Sequence, residues 1–214
     1  METHLSTTPS LPGELEFWFD FGSNYSYLSV LRIEALAREA GLVVRWRPFV
    51  LGPVFKSLGW DNSPFVLHKA KRDYMWRDMA RECQKYGLPW RQPSVFPRHS
   101  LLPVRVALYG EQEPWMAGFC RRVMLRNFSA DLDINAVDSV AAVLGELGLD
   151  AAAILGAAQA DSNKLALRER GAHALALGIF GAPTFFVDGE IFWGNDRLDD
   201  AIAYARHVSN PAAS

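Results

Sequence analysis

Ser23 stands where an aromatic strand pattern turns into a helical one, and its hydroxyl is the first group in the chain placed to do chemistry. The run Asp20-Phe-Gly-Ser-Asn-Tyr-Ser-Tyr-Leu28 carries this joint, with Gly22-Ser23-Asn24 as the turn. The first N–H groups of a helix lack partners and carry partial positive charge, so a hydroxyl there lies beside a seat for an anion. The same hydroxyl can equally serve as a plain N-cap. Two further segments draw attention. Ala182-Pro183 lies within Gly178-Ile-Phe-Gly-Ala-Pro-Thr-Phe-Phe-Val187, where proline is also an ordinary strand-starting residue. Asn195-Asp196 lies within Trp193-Gly-Asn-Asp-Arg-Leu198 and opens the last helix, where either residue makes a good cap. Cys83 and Cys120 stand in separate segments with no C-x-x-C spacing. His68, His99 and His173 show no metal-ligand spacing, and no metal is expected.

The elements that must position these residues follow from periodicity. Leu15 to Phe21 alternates and reads as a strand. Tyr27, Leu28, Leu31, Ala35 and Leu36 recur at helical spacing up to Gly41, and Leu42 to Val50 reads as a second strand. A β-α-β opening implies that these two strands are parallel. From Pro53 to about Ala176 the patterns are helical, clearest over Lys69–Tyr86, Leu101–Tyr109, Pro114–Asn127, Asp138–Leu147 and Asp150–Gln159. A helix, the strands Thr184–Asp188 and Glu190–Trp193 joined at Asp188-Gly189, and a helix over Asp196–His207 complete the chain. The expected fold is α/β, one small sheet with a long all-helical insertion. Its parts are a disordered lead-in over 1–14, a discontinuous sheet domain over 15–52 and 177–209, and an inserted helical domain over 53–176.

Composition narrows the partners. The 214 residues are 50% hydrophobic, enough for a substantial core, and the net charge of -2 gives no reason to expect nucleic acid or an anionic membrane. No apolar run approaches the roughly 20 residues of a membrane span. Met1 to Pro12 lacks the basic and apolar regions of a signal peptide, so a cytoplasmic protein with reduced, buried cysteines is expected. Cys83 shares a helical pattern with Tyr74, Met75 and Met79, which assigns it to packing.

In thioredoxin-like folds the first joint carries C-x-x-C and the second carries a facing cis-proline; here the four positions read Ser23-Asn24-Tyr25-Ser26, with both thiols gone. Together the three motifs make the chain similar to the 2-hydroxychromene-2-carboxylate isomerases and kappa-class glutathione transferases of the DsbA-like group, over about Leu15 to His207. One departure is Asn24, where many relatives have proline. The resemblance implies glutathione as cofactor, a homodimer, and Ser23 as the residue that donates to the glutathione sulfur. It implies a cis bond at Ala182-Pro183 whose Ala182 backbone pairs with the cysteinyl residue. Asp196 would accept the γ-glutamyl ammonium near Trp193, Gly194 and Asn195, and Asn62 and Lys71 match further glutathione-contacting positions. Lys71 would pair with a carboxylate of the tripeptide. Lowering a thiol pKa of about 8.5 by two units takes roughly 2.7 kcal/mol. A charged hydrogen bond and a helix terminus supply about that much.

The function implied is isomerisation of an aromatic catabolite, such as 2-hydroxychromene-2-carboxylate to trans-o-hydroxybenzylidenepyruvate. The other readings are a glutathione transferase or peroxidase using the same site, and a non-catalytic glutathione-binding protein. Loss of both motif cysteines opposes a disulfide oxidoreductase. Phe55, Trp60, Trp76 and Phe96 read either as walls of an aromatic pocket or as core, and Lys56 lies near a lysine position of some isomerases.

Overall fold

A computed structural model describes residues 13–209. The expected lead-in lies outside them except for its last two residues, and Glu14 already belongs to the first strand. In chain order the elements are β1 (Glu14–Phe19), α1 (Asn24–Glu39), β2 (Val43–Pro48), α2 (Leu51–Ser57), α3 (Pro64–Leu67) and α4 (Lys69–Tyr86). Then come α5 (Leu101–Tyr109), α6 (Met116–Phe128), α7 (Val137–Glu146), α8 (Ala151–Ala158) and α9 (Asp161–Ala176). The chain closes with β3 (Thr184–Val187), β4 (Glu190–Trp193), a 3-10 turn over Asn195–Arg197 and α10 (Leu198–Ser209).

The four strands form one sheet in the order β2-β1-β3-β4. β1 and β2 are parallel, as the β-α-β opening requires, whereas β1-β3 and β3-β4 are antiparallel. Asp188 and Gly189 both have positive φ, 49° and 83°, which gives the tight hairpin that the Asp-Gly pair favours. The fold is therefore a thioredoxin-like α/β sheet with α2 to α9 inserted between β2 and β3.

Alternation along β1 divides the core. Leu15, Phe17 and Phe19 point to the larger cluster with Tyr27, Leu31 and Phe185, while Trp18 points to the opposite face with Phe49, Ala174 and Phe186. Phe17 stacks on Phe19 and Phe185 with ring centroids 5.0 and 5.2 Å apart, so the aromatic strand is a packed seam through the sheet. On the second face Trp18 stacks on His173 of α9, and its indole donates to Glu16. Both faces thus fix the C-terminal end of β1, and the turn that follows it inherits that rigidity.

Candidate active site

Ser23 is the N-cap of α1, with φ −85° and ψ 118°, and its Oγ accepts from the Ser26 N–H at 3.2 Å. Its own O–H donates to the Ala182 carbonyl at 3.0 Å, across 159 residues of chain. The N-cap of α1 is therefore also the hydroxyl that faces the Ala182-Pro183 segment. The Ala182-Pro183 bond is cis. No acidic residue lies in the first turn of α1, so nothing there offsets its positive end. Asn24 takes the first helical position, whose N–H has no helical partner; a proline would fit the same place.

Beneath the turn lies Asp20, almost wholly buried. Its carboxylate accepts from the Gly22 N–H at 2.8 Å, the Leu51 N–H at 2.8 Å and the Ser100 hydroxyl at 2.6 Å. One side chain thus ties the Ser23 turn to the starts of α2 and α5. Burial raises its pKa; the hydrogen bonds from Leu51, Ser100 and Gly22 act the other way and only moderate the rise. A second tie runs through Asn127, whose amide donates to the Phe21 carbonyl at 2.9 Å and whose carbonyl accepts from Arg98 at 3.0 Å. Arg98 also holds Asp131, and that hydrogen bond, followed by one from the Ser94 N–H, lowers the Asp131 carboxyl to about 2. A Cβ at Gly22 would come within 3.1 Å of the Arg98 carbonyl, so the loop before α5 lies directly against the turn.

All nine residues expected to hold glutathione line one cleft of about 1390 Å³. Ser23, Ala182 and Pro183 meet on one wall. Trp193 ends β4 with its indole against Phe180, at 4.8 Å between ring centroids. Gly194 follows with φ 111°, and a Cβ there would lie 2.4 Å from the Asp196 carboxylate, which curls back over it. Asp196 is exposed and pairs with Arg197 at 3.1 Å. Asn195 departs from the local capping reading: its side-chain oxygen accepts from Ser29 at 3.1 Å and Arg32 at 3.3 Å, both on α1. It fastens the start of the last helix to the helix that carries Ser23. Lys71 lies exposed on α4 and makes no ion pair among the described residues. Asn62 lies just before α3, where its side chain accepts from the Ser63 N–H.

Phe55, Trp60 and Phe96 line the cleft, but Trp76 stands behind it, packed on Trp90 and Phe96. Lys56 is exposed and off the cleft. Asp20, Ser100 and the Tyr25-Asp78 hydrogen bond of 2.9 Å were not singled out by pattern. Burial, then the hydrogen bond to Asp78, raises the Tyr25 pKa, so that phenol keeps its proton. Both cysteines are buried, and burial pushes Cys83 up to about 12, which removes it as a thiolate. No cluster of three or more His, Cys, Asp or Glu suited to a metal occurs among the described residues.

Comparison with known proteins matches residues 14–204 to the DSBA-like thioredoxin domain. A 2-hydroxychromene-2-carboxylate isomerase of Sphingobium xenophagum is 31% identical, covering 89% of this chain and 96% of that protein. A glutathione S-transferase kappa 2 of Caenorhabditis elegans is 25% identical over 86% of this chain and 88% of its own. A solved 2-hydroxychromene-2-carboxylate isomerase structure superimposes with a TM-score of 0.83 at 27% identity, covering 94% of this chain and all of that one.

Proposed function

This chain belongs to the DSBA-like thioredoxin domain family, alongside the 2-hydroxychromene-2-carboxylate isomerases, and we propose that it is itself a glutathione-dependent isomerase of an aromatic-catabolite electrophile. The observation that carries the reading is the 3.0 Å contact of the Ser23 hydroxyl with Ala182, at a helix start without acidic residues and in one cleft with Asp196 and Lys71. The names of the kappa-class relatives point the same way.

The residues present fit the tripeptide. Glutathione carries one ammonium, two carboxylates and a thiol. The cleft offers the exposed Asp196 carboxylate, the exposed Lys71 ammonium, the free end of α1 and the Ser23 hydroxyl. Bound glutathione supplies a thiol whose ionised form is both nucleophile and leaving group, so an isomerisation needs no net redox change or hydrolysis. Ser23 donates to the sulfur and, with the α1 terminus, favours its ionised form. Phe55, Trp60 and Phe96 give the electrophile an aromatic wall and limit water beside the reacting atoms. A cytoplasmic setting, where glutathione is reduced and abundant, and a homodimeric state belong to the same reading.

Calorimetric titration of the full chain with reduced glutathione is expected to give saturable binding, weakened at least tenfold by Asp196→Ala combined with Lys71→Ala. Absence of heat and of any thermal shift at millimolar glutathione would remove the reading.

A further inference from the structure

The Ser23 hydroxyl has one proton, and in this structure that proton is already in use. The Oγ donates it to the Ala182 carbonyl at 3.0 Å and at the same time accepts from the Ser26 N–H. No other donor reaches the Ala182 carbonyl among the described residues. A hydroxyl in this state faces an arriving sulfur with lone pairs, and lone pairs repel an anion. Donation to sulfur therefore requires the O–H to turn away from Ala182, leaving that partly buried carbonyl without a partner unless a new donor replaces it.

We propose that the site selects its thiol by this exchange: Ser23 is released to the sulfur only by a ligand that brings its own N–H to the Ala182 carbonyl. The inference rests on the glutathione reading above and deepens it. An N-acylated cysteinyl thiol meets the demand, because its amide nitrogen and sulfur lie roughly 3–4 Å apart along one short side chain. That span matches the 3.0 Å between the Ser23 oxygen and the Ala182 oxygen. Proton bookkeeping is simple. The Ser23 proton stays on Oγ and changes acceptor, the ligand N–H takes over the carbonyl, and the thiol proton passes to water. A thiol without a neighbouring N–H leaves Ser23 turned to Ala182 and keeps only the α1 terminus to favour its ionised form.

The exchange predicts effects of opposite sign, which a merely structural Ser23 would not give. The peptide γ-glutamyl-alanyl-glycine has the N–H but no sulfur, so on binding it displaces the Ser23 proton and offers no acceptor in return. Ser23→Ala should tighten its binding about twofold to tenfold, since the competing donor is gone. The same substitution should weaken glutathione about tenfold or more at neutral pH, where the sulfur has lost its donor. Titrations of both peptides into wild type and Ser23→Ala, with melting curves to check that the variant is folded, decide between outcomes. Opposite changes uphold the exchange. Changes of the same sign, or no change for the alanyl peptide, overturn it while leaving the glutathione reading intact. If neither peptide binds the wild type, the glutathione reading fails first, and the exchange with it.

Discussion

Replacing Ser23 by alanine is expected to lower kcat/KM about ten- to a hundredfold. The estimate is the loss of one hydrogen bond to an anionic sulfur, roughly 1.5–3 kcal/mol. The same change removes an N-cap, which costs roughly 1 kcal/mol of folding free energy and leaves the protein folded. Rate and stability therefore separate. If Ser23 acts by lowering the sulfur's pKa, the rate of the variant should recover toward wild type as pH rises and the thiolate forms unaided. Rate-against-pH profiles for the two proteins test this. Profiles that superimpose would reduce Ser23 to a cap and leave the thiolate without an identified partner.

The largest loss of stability is expected from Asp20→Ala. It strips three donors of their acceptor at once, the Gly22 and Leu51 N–H groups and the Ser100 hydroxyl, in a place almost closed to water. Each buried donor left unpaired costs roughly 1–3 kcal/mol, and relaxation around the site brings the total to about 3–5 kcal/mol. Urea denaturation measures it; a loss under about 1 kcal/mol would show that the carboxylate is not what joins the three segments. Asp20→Asn adds a pH test. Burial raises the Asp20 pKa in the folded state, so the native protein holds this proton to higher pH than the unfolded chain does. The Asp20 contribution is then fully present below the unfolded value of about 3.9 and is lost as pH rises through the folded one. The stability of wild type relative to Asp20→Asn should fall across that window. A rise would mean that the three hydrogen bonds outweigh burial.

The contrast between Ser23 and Asp20 shows what was legible in the sequence. Elements with strong periodicity and clear ends were readable: α4 and α5 match their expected bounds, and the Asp188-Gly189 hairpin fell where its turn chemistry put it. α2 was not among the expected helices: it is short and carries Gly52 and Pro53, although proline is tolerated in a first turn whose N–H groups have no partners. The bounds of α9 were hidden because it buries only Leu167 and Ala174 and has no apolar stripe; its position comes from packing on the sheet around Trp18. Within the site, Ser23, Ala182-Pro183 and Asn195-Asp196 were visible as motifs. The supports were not. Asp20 meets Ser100 across 80 residues, and Asn127 meets Phe21 across 106, and no local pattern encodes such contacts. A carboxylate ending an otherwise aromatic strand was the one available signal for Asp20. Asn195 read as a local cap or a glutathione contact, and its long-range partners on α1 were likewise invisible.

The central claim is that this chain isomerises its substrate only through bound glutathione held at Ser23. Its most direct test follows the conversion of 2-hydroxychromene-2-carboxylate to trans-o-hydroxybenzylidenepyruvate by absorbance, using full-length protein first stripped of small thiols and then titrated with glutathione. The predicted result is a rate indistinguishable from the uncatalysed one without glutathione, rising to saturation as glutathione is added. An undiminished rate in the stripped protein, or no rate when glutathione is bound, would contradict it.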